Sequence, residues 1–120
     1  LSPPPRQPPK MNAENERNHG PQRIDAIMER WGLENHDLVS VSIEQLTHKQ
    51  VQKARQGRQL TLSMMQKVAR ALNVALWNRL SDEQKEVYYE YIHRDLFSYA
   101  KGYDPEWKDP NDALKPQQHS

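Results

Sequence analysis

Cysteine is absent from this chain of 120 residues, which excludes disulfides, thiolate nucleophiles and thiolate metal sites together. A reducing compartment fits that absence, and a cytoplasmic location is expected. No apolar run approaches the roughly 18 residues that a membrane helix needs. The opening Leu1-Ser2-Pro3-Pro4-Pro5 also lacks the apolar middle of a secretory signal. Glycine occurs only four times and builds no phosphate-cradling loop. Of the histidines, His36, His48 and His93 are scattered, and no His-x-x-x-His occurs. Ser63 has no activating base near it in sequence. No metal, cofactor, small-molecule substrate, membrane contact or catalytic activity is therefore expected.

Acids are missing from one long window. Between Gln45 and Ser81 there is no Asp or Glu, while Lys49, Lys53, Arg55, Arg58, Lys67, Arg70 and Arg79 all fall inside it. After Ser81 the sign reverses, with nine acids against five Lys or Arg, so the net charge of +1 conceals two halves of opposite character. Such asymmetry is a footprint of polyanion binding, and equally of a solvated basic face.

Residues 1–20 open with five prolines in nine positions and bury little, which predicts a disordered segment. A helical domain is expected over 21–80. Ile24, Ile27, Met28 and Trp31 recur at helical spacing and predict a first helix over Gln22–Trp31, stopped by Gly32. A short second helix is expected over Asn35–Ser42, with Leu38 and Val39 inward and Val41 or Ile43 joining them. Thr47 is an N-cap for a third helix, His48–Gln56, which Gly57 ends. A fourth opens at Thr61 or Ser63 and carries Leu62, Met65, Val68, Ala69 and Leu72 as one apolar stripe, continued by Val74, Leu76, Trp77 and Leu80. Ser81-Asp82-Glu83-Gln84 is a capping-box pattern. It predicts a long fifth helix over 81–103, followed by a polar tail over 104–120. The expected fold is all-α: a small five-helix bundle with a helix-turn-helix and a long C-terminal helix.

The third helix carries the functional expectation. Val51 and Ala54 face the core, so Lys49, Gln52, Lys53 and Gln56 face outward, with His48 and Arg55 on the flanks. That outer face has no acid and no large apolar residue. Lys can donate to guanine O6 and N7, and Gln can pair with adenine, so the face suits a DNA major groove. An ordinary amphipathic surface helix is the plainer alternative.

Leu46-Thr47, then Val51, then Gly57-Arg58, and the later Ala69-Arg70-Ala71-Leu72-Asn73-Val74, resemble the phage-repressor (lambda-repressor-like, Xre) helix-turn-helix family over about residues 23–80. Trp31-Gly32-Leu33 and Leu38-Val39 match the end of that family's first helix and its second. The resemblance implies a transcriptional regulator that binds double-stranded DNA with its third helix in the major groove. By position it implies base reading by His48, Lys49 and Lys53, with Gln52 on the same face, and phosphate contacts from Gln56 and Arg58. Two departures stand out. The stretch from Leu38 to Gly57 is two residues longer than the family pattern and lacks its turn glycine. The family's frequent ion pair between the third and first helices is replaced by Arg55 and Met28, which predicts a free Arg55.

In the predicted fifth helix, Tyr89, Ile92, Leu96, Tyr99 and Tyr103 step by three and four. This stripe is expected either to pair two copies as a homodimer or to be covered by the chain from Tyr103 to Trp107. A base-stacking platform is disfavoured by the surrounding acids. The alternative function is a protein-interaction module of the same fold, serving as antitoxin, adaptor or scaffold.

Overall fold

Capping chemistry sets most helix boundaries in the computed structural model, which describes residues 18–114. Six α-helices occur among these residues: α1 Arg23–Arg30, α2 Asn35–Val41, α3 His48–Gln56, α4 Leu62–Trp77, α5 Asp82–Val87 and α6 His93–Leu96, followed by a 3₁₀ turn at Pro110–Ala113. No strand is formed among the described residues, and the architecture is all-α. None of the helices is long and apolar enough to cross a membrane. Thr47 Oγ1 accepts from Gln50 N at 3.1 Å while Gln50 Oε1 accepts from Thr47 N at 3.0 Å, a reciprocal cap that fixes the start of α3. Thr61 caps α4 through Met64 N, and Ser81 caps α5 through Gln84 N.

Helix α2 lies against both α3 and α4; α1 packs on α3, and α6 packs on α4 and α1. The shared core takes Ile24 and Met28 from α1, Leu38 from α2, Val51 and Ala54 from α3, and Val68, Leu72 and Leu76 from α4, all fully buried. Each large aliphatic among them contributes roughly 1.5–3 kcal/mol through removal from water. Some residues expected inside lie outside. Ile43 is 96% exposed because it follows the end of α2 in an irregular turn, and Leu62 is 54% exposed in the first turn of α4. Val74 and Trp77, each 44% exposed, lie at the margin of the core rather than within it.

The predicted long fifth helix is not formed. α5 ends at Val87, Tyr88 turns to extended backbone, and only His93–Leu96 resumes a helix. Two asparagines far away in sequence hold the extended stretch. Asn73 donates from Nδ2 to Tyr91 O at 2.8 Å and accepts from Tyr91 N at 2.9 Å. Asn111 does the same for Tyr89, with both bonds at 2.8 Å. These side chains supply the backbone partners that a helix would have provided internally. Tyr91, Leu96 and Phe97 thereby enter the same core as α1–α4.

The stripe Tyr89, Ile92, Leu96, Tyr99, Tyr103 is therefore no single face. Leu96 is fully buried, Tyr89 OH donates to Asp95 Oδ2 at 2.8 Å, and Tyr99 OH donates to Arg58 O at 3.2 Å. Tyr103 lies against the Arg23 guanidinium, 4.7 Å from its ring centre, and only Ile92 is left exposed. The helix expected to carry a homodimer face is not formed, and these residues make their contacts within the chain.

Nor is the tail after Asp104 a polar appendage up to Leu114. Arg23 lies over Trp107 at 4.9 Å and donates to Asp95 O and Asp104 O. Arg30 donates to the carbonyls of Asn111, Asp112 and Leu114. Tyr91 OH bonds both oxygens of Asp109 at 2.7 Å. These bonds strap the C-terminal segment across α1. Of the N-terminal segment, residues 1–17 lie outside the described residues, as do 115–120 at the other end.

Candidate nucleic-acid interface

α3 is short, capped at both ends and fixed through its inner face, so the positions of its outer side chains follow from its register. Gly57 takes φ +94° and ends the helix, its N–H and that of Arg58 both donating to Lys53 O. A Cβ on Gly57 would lie 1.8 Å from Gly20 O, so only glycine fits there. The chain from Asn18 returns beside this point. His19 N donates to Gly57 O at 2.8 Å, Asn18 and Arg58 form an antiparallel bridge, and the His19 ring stacks on Tyr99 at 4.5 Å. The Tyr99 hydroxyl also accepts from Leu60 N at 3.0 Å. The backbone on either side of Arg58 is thus fixed while its side chain stays exposed.

His48, Lys49, Gln52 and Gln56 are exposed on α3, and Lys53 is half-buried. Arg58 extends the set just past the helix end. Ion pairing separates the seven cations of the acid-free window. Arg55 bonds Asp25, Arg70 forks onto both oxygens of Glu44 at 2.7 and 2.6 Å, and Arg79 lies 3.4 Å from Asp37. The bidentate Arg70 contact holds the Glu44 carboxyl below its ordinary range. Lys49, Lys53, Lys67 and Arg58 form no ion pair among the described residues. Three of these four uncompensated cations are on α3 or immediately after it.

Arg55 is not the free cation that the sequence led us to expect. Its Nε donates to Asp25 Oδ1 at 2.6 Å and its Nη1 to Asn35 Oδ1 at 2.9 Å. The missed partner is Asp25, three residues before Met28 and nearly one turn away on α1. The pair links α3 to α1 with the acid on α1. Asn35 then donates from Nδ2 to Gln52 Oε1 at 2.8 Å. A chain of side chains therefore runs Asp25, Arg55, Asn35, Gln52, from α1 to the outer face of α3. It holds the Gln52 carbonyl and leaves its Nε2 to donate outward. Asn35 stands at the first position of α2.

The turn between α2 and α3 lacks glycine, and Gln45 takes the left-handed conformation there at φ +54°. A residue with a Cβ in this conformation carries about 1 kcal/mol of backbone strain.

The chain matches no protein-family model, and no match is found among curated proteins or solved structures.

Proposed function

We infer that this protein binds double-stranded DNA sequence-specifically as a transcriptional regulator, with α2 and α3 as a lambda-repressor-like helix-turn-helix and α3 in the major groove. The observation that carries the reading is the outer face of α3: exposed His48, Lys49 and Gln52, with Lys53 beside them, no acid, and no ion pair neutralising either lysine. Lysines engaged by carboxylates would have to break those bonds before reaching a base; these do not. Lys49 and Lys53 donate to purine acceptors, and Gln52, held through its carbonyl by Asn35, donates from Nε2 to an acceptor on a base edge. Gln56 and Arg58, at the helix end, meet the phosphate backbone.

A second reading, a protein-interaction module, is favoured by a different surface. Val74, Trp77 and Tyr88 line an apolar groove of about 520 Å³ beside Glu90, and the exposed aromatic suits a protein contact. The two readings separate in one experiment: selection of bound duplexes from a random DNA pool, followed by a salt series on the enriched site. The DNA reading predicts an enriched motif and an affinity falling steeply with salt, with a slope of about −0.9 for each phosphate contacted. A pool that stays random after repeated rounds would leave the interaction module as the function.

A further inference from the structure

The groove between α4 and the extended chain after α5 has a lining with a definite chemistry. Val74, Trp77 and Tyr88 supply its apolar surface, and Arg70, Asn73 and Glu90 complete it, around a volume of about 520 Å³. Its two rings are held in place. Tyr88 OH donates to Asn73 Oδ1 at 2.6 Å, and the Tyr88 ring meets Trp77 edge-on with centres 6.0 Å apart. Lys85 Nζ, 5.3 Å from the Trp77 ring centre, steadies that ring further. Trp77 is exposed, and its indole N–H has no hydrogen-bond partner among the described residues. The two charges of the lining differ in their freedom. Arg70 is committed to both oxygens of Glu44, whereas Glu90 is exposed and forms no ion pair among the described residues. The groove thus offers two fixed aromatic rings, one free donor and one free acid.

We propose that the proline-rich segment of this same chain, residues 3–9, docks in this groove. Five of those seven residues are proline, and Arg6 is the one charge among them. Proline fixes φ near −65° and has no N–H, so such a run favours polyproline II, whose carbonyls stay free to accept and whose rings suit aromatic-lined grooves. Proline rings pack on Trp77 and Tyr88, a carbonyl of the segment accepts from the Trp77 indole N–H, and Arg6 pairs with Glu90. An acidic occupant would meet Glu90 with Arg70 already neutralised. The segment also has the reach. The described chain begins at Asn18, bridged to Arg58 just before α4. Arg70, on the groove, is eight residues into α4 from Leu62, about 12 Å along the axis. The nine steps from Asn18 back to Pro9 extend up to about 30–32 Å. The proposal takes the groove of the second reading above and gives it an occupant within the chain; it does not depend on the DNA reading.

The test uses the full chain labelled with ¹⁵N. The sequence has no cysteine, so Ser2→Cys accepts a single nitroxide spin label beside the proline run. The sequence holds three tryptophans, and the Trp77 indole resonance is assigned by its loss in Trp77→Phe, a change at an exposed ring. With the label oxidised, the Trp77 indole should lose most of its intensity, far more than the indoles of Trp31 and Trp107. The selective loss should disappear when Pro3, Pro4, Pro5, Pro8 and Pro9 are all replaced by Gly, and should shrink in Glu90→Gln, with the rest of each spectrum unchanged. An equal loss at all three indoles, no loss at Trp77, or a loss that survives the glycine replacements would overturn the proposal. So would a selective loss in ¹⁵N protein without a label when it is mixed with spin-labelled, unenriched protein, since the occupant would then be the segment of a second copy. None of these measurements involves DNA, so their failure and the failure of the DNA reading are separate results.

Discussion

Arg55 on α3 donates from Nε to Asp25 Oδ1 on α1 across 2.6 Å, and both side chains are largely shielded from water. A shielded, hydrogen-bonded ion pair is costly to break because one charge is left without a partner. Arg55→Ala should lower stability by about 1–3 kcal/mol in urea unfolding. A double-mutant cycle with Asp25→Ala should return a coupling of about 0.5–3 kcal/mol. Strictly additive losses would mean the pair contributes only packing.

Two left-handed residues flank α3, and substitutions there should act in opposite directions. Gly57→Ala places a Cβ against Gly20 O at a positive φ and should cost about 2 kcal/mol or more. Gln45→Gly relieves a left-handed conformation carried by a residue with a side chain, and should raise the melting temperature by about 2–4 °C. Calorimetry on the two variants reads both signs.

Ile92 and Leu96, one helical turn apart in a continuous helix, here lie in different environments. Leu96 is fully buried and Ile92 is 38% exposed. Leu96→Asp should destabilise the protein by about 4 kcal/mol or more through a buried unpaired charge. Ile92→Asp should cost less than about 1 kcal/mol. Equal effects at both positions would restore the continuous helix that the sequence suggested.

The tyrosines of the C-terminal segment predict the response to alkali. Burial pushes the phenols of Tyr88, Tyr91 and Tyr99 upward, and Tyr89, through burial and its bond to Asp95, is raised to about 12. A folded-state pKa above the unfolded value of about 10 means that the native state keeps its protons while the unfolded state releases them. Stability is therefore fully present below pH 10 and is lost as pH rises from about 10 through 12. Denaturant midpoints measured across this window should fall, and Tyr89→Phe should flatten part of the decline.

Much of the first four helices was legible because the signals are local. Thr47 and Gly57 state the ends of α3 within ten residues of one another, and Val51 and Ala54 give its inner face by spacing alone. The C-terminal segment misled for the opposite reason. Its apolar residues step by three and four, and the Ser81 capping box starts a real helix. What ends that helix is Asn73 and Asn111, 18 and 22 residues from the tyrosines they hold, and no local pattern reports them. The run Val87-Tyr88-Tyr89-Glu90-Tyr91-Ile92, rich in aromatic and β-branched residues, carried the one usable hint of extended backbone. At the candidate interface, the exposed positions of α3 were readable from the wheel. The Asp25–Arg55–Asn35–Gln52 chain was not, since it joins three helices through partners that sequence spacing does not pair.

The proposal that α3 reads DNA rests on Lys49 and Lys53. Its most direct measurement is the affinity for a selected duplex of the parent and of the double variant Lys49→Ala/Lys53→Ala, at one fixed salt concentration and with the melting temperature recorded for both. Each lysine that reads a base should cost about 1–3 kcal/mol, so the double variant should bind its site roughly tenfold more weakly or worse and melt as the parent does. A double variant that binds the selected duplex as tightly as the parent would contradict the assignment of α3 as the reader.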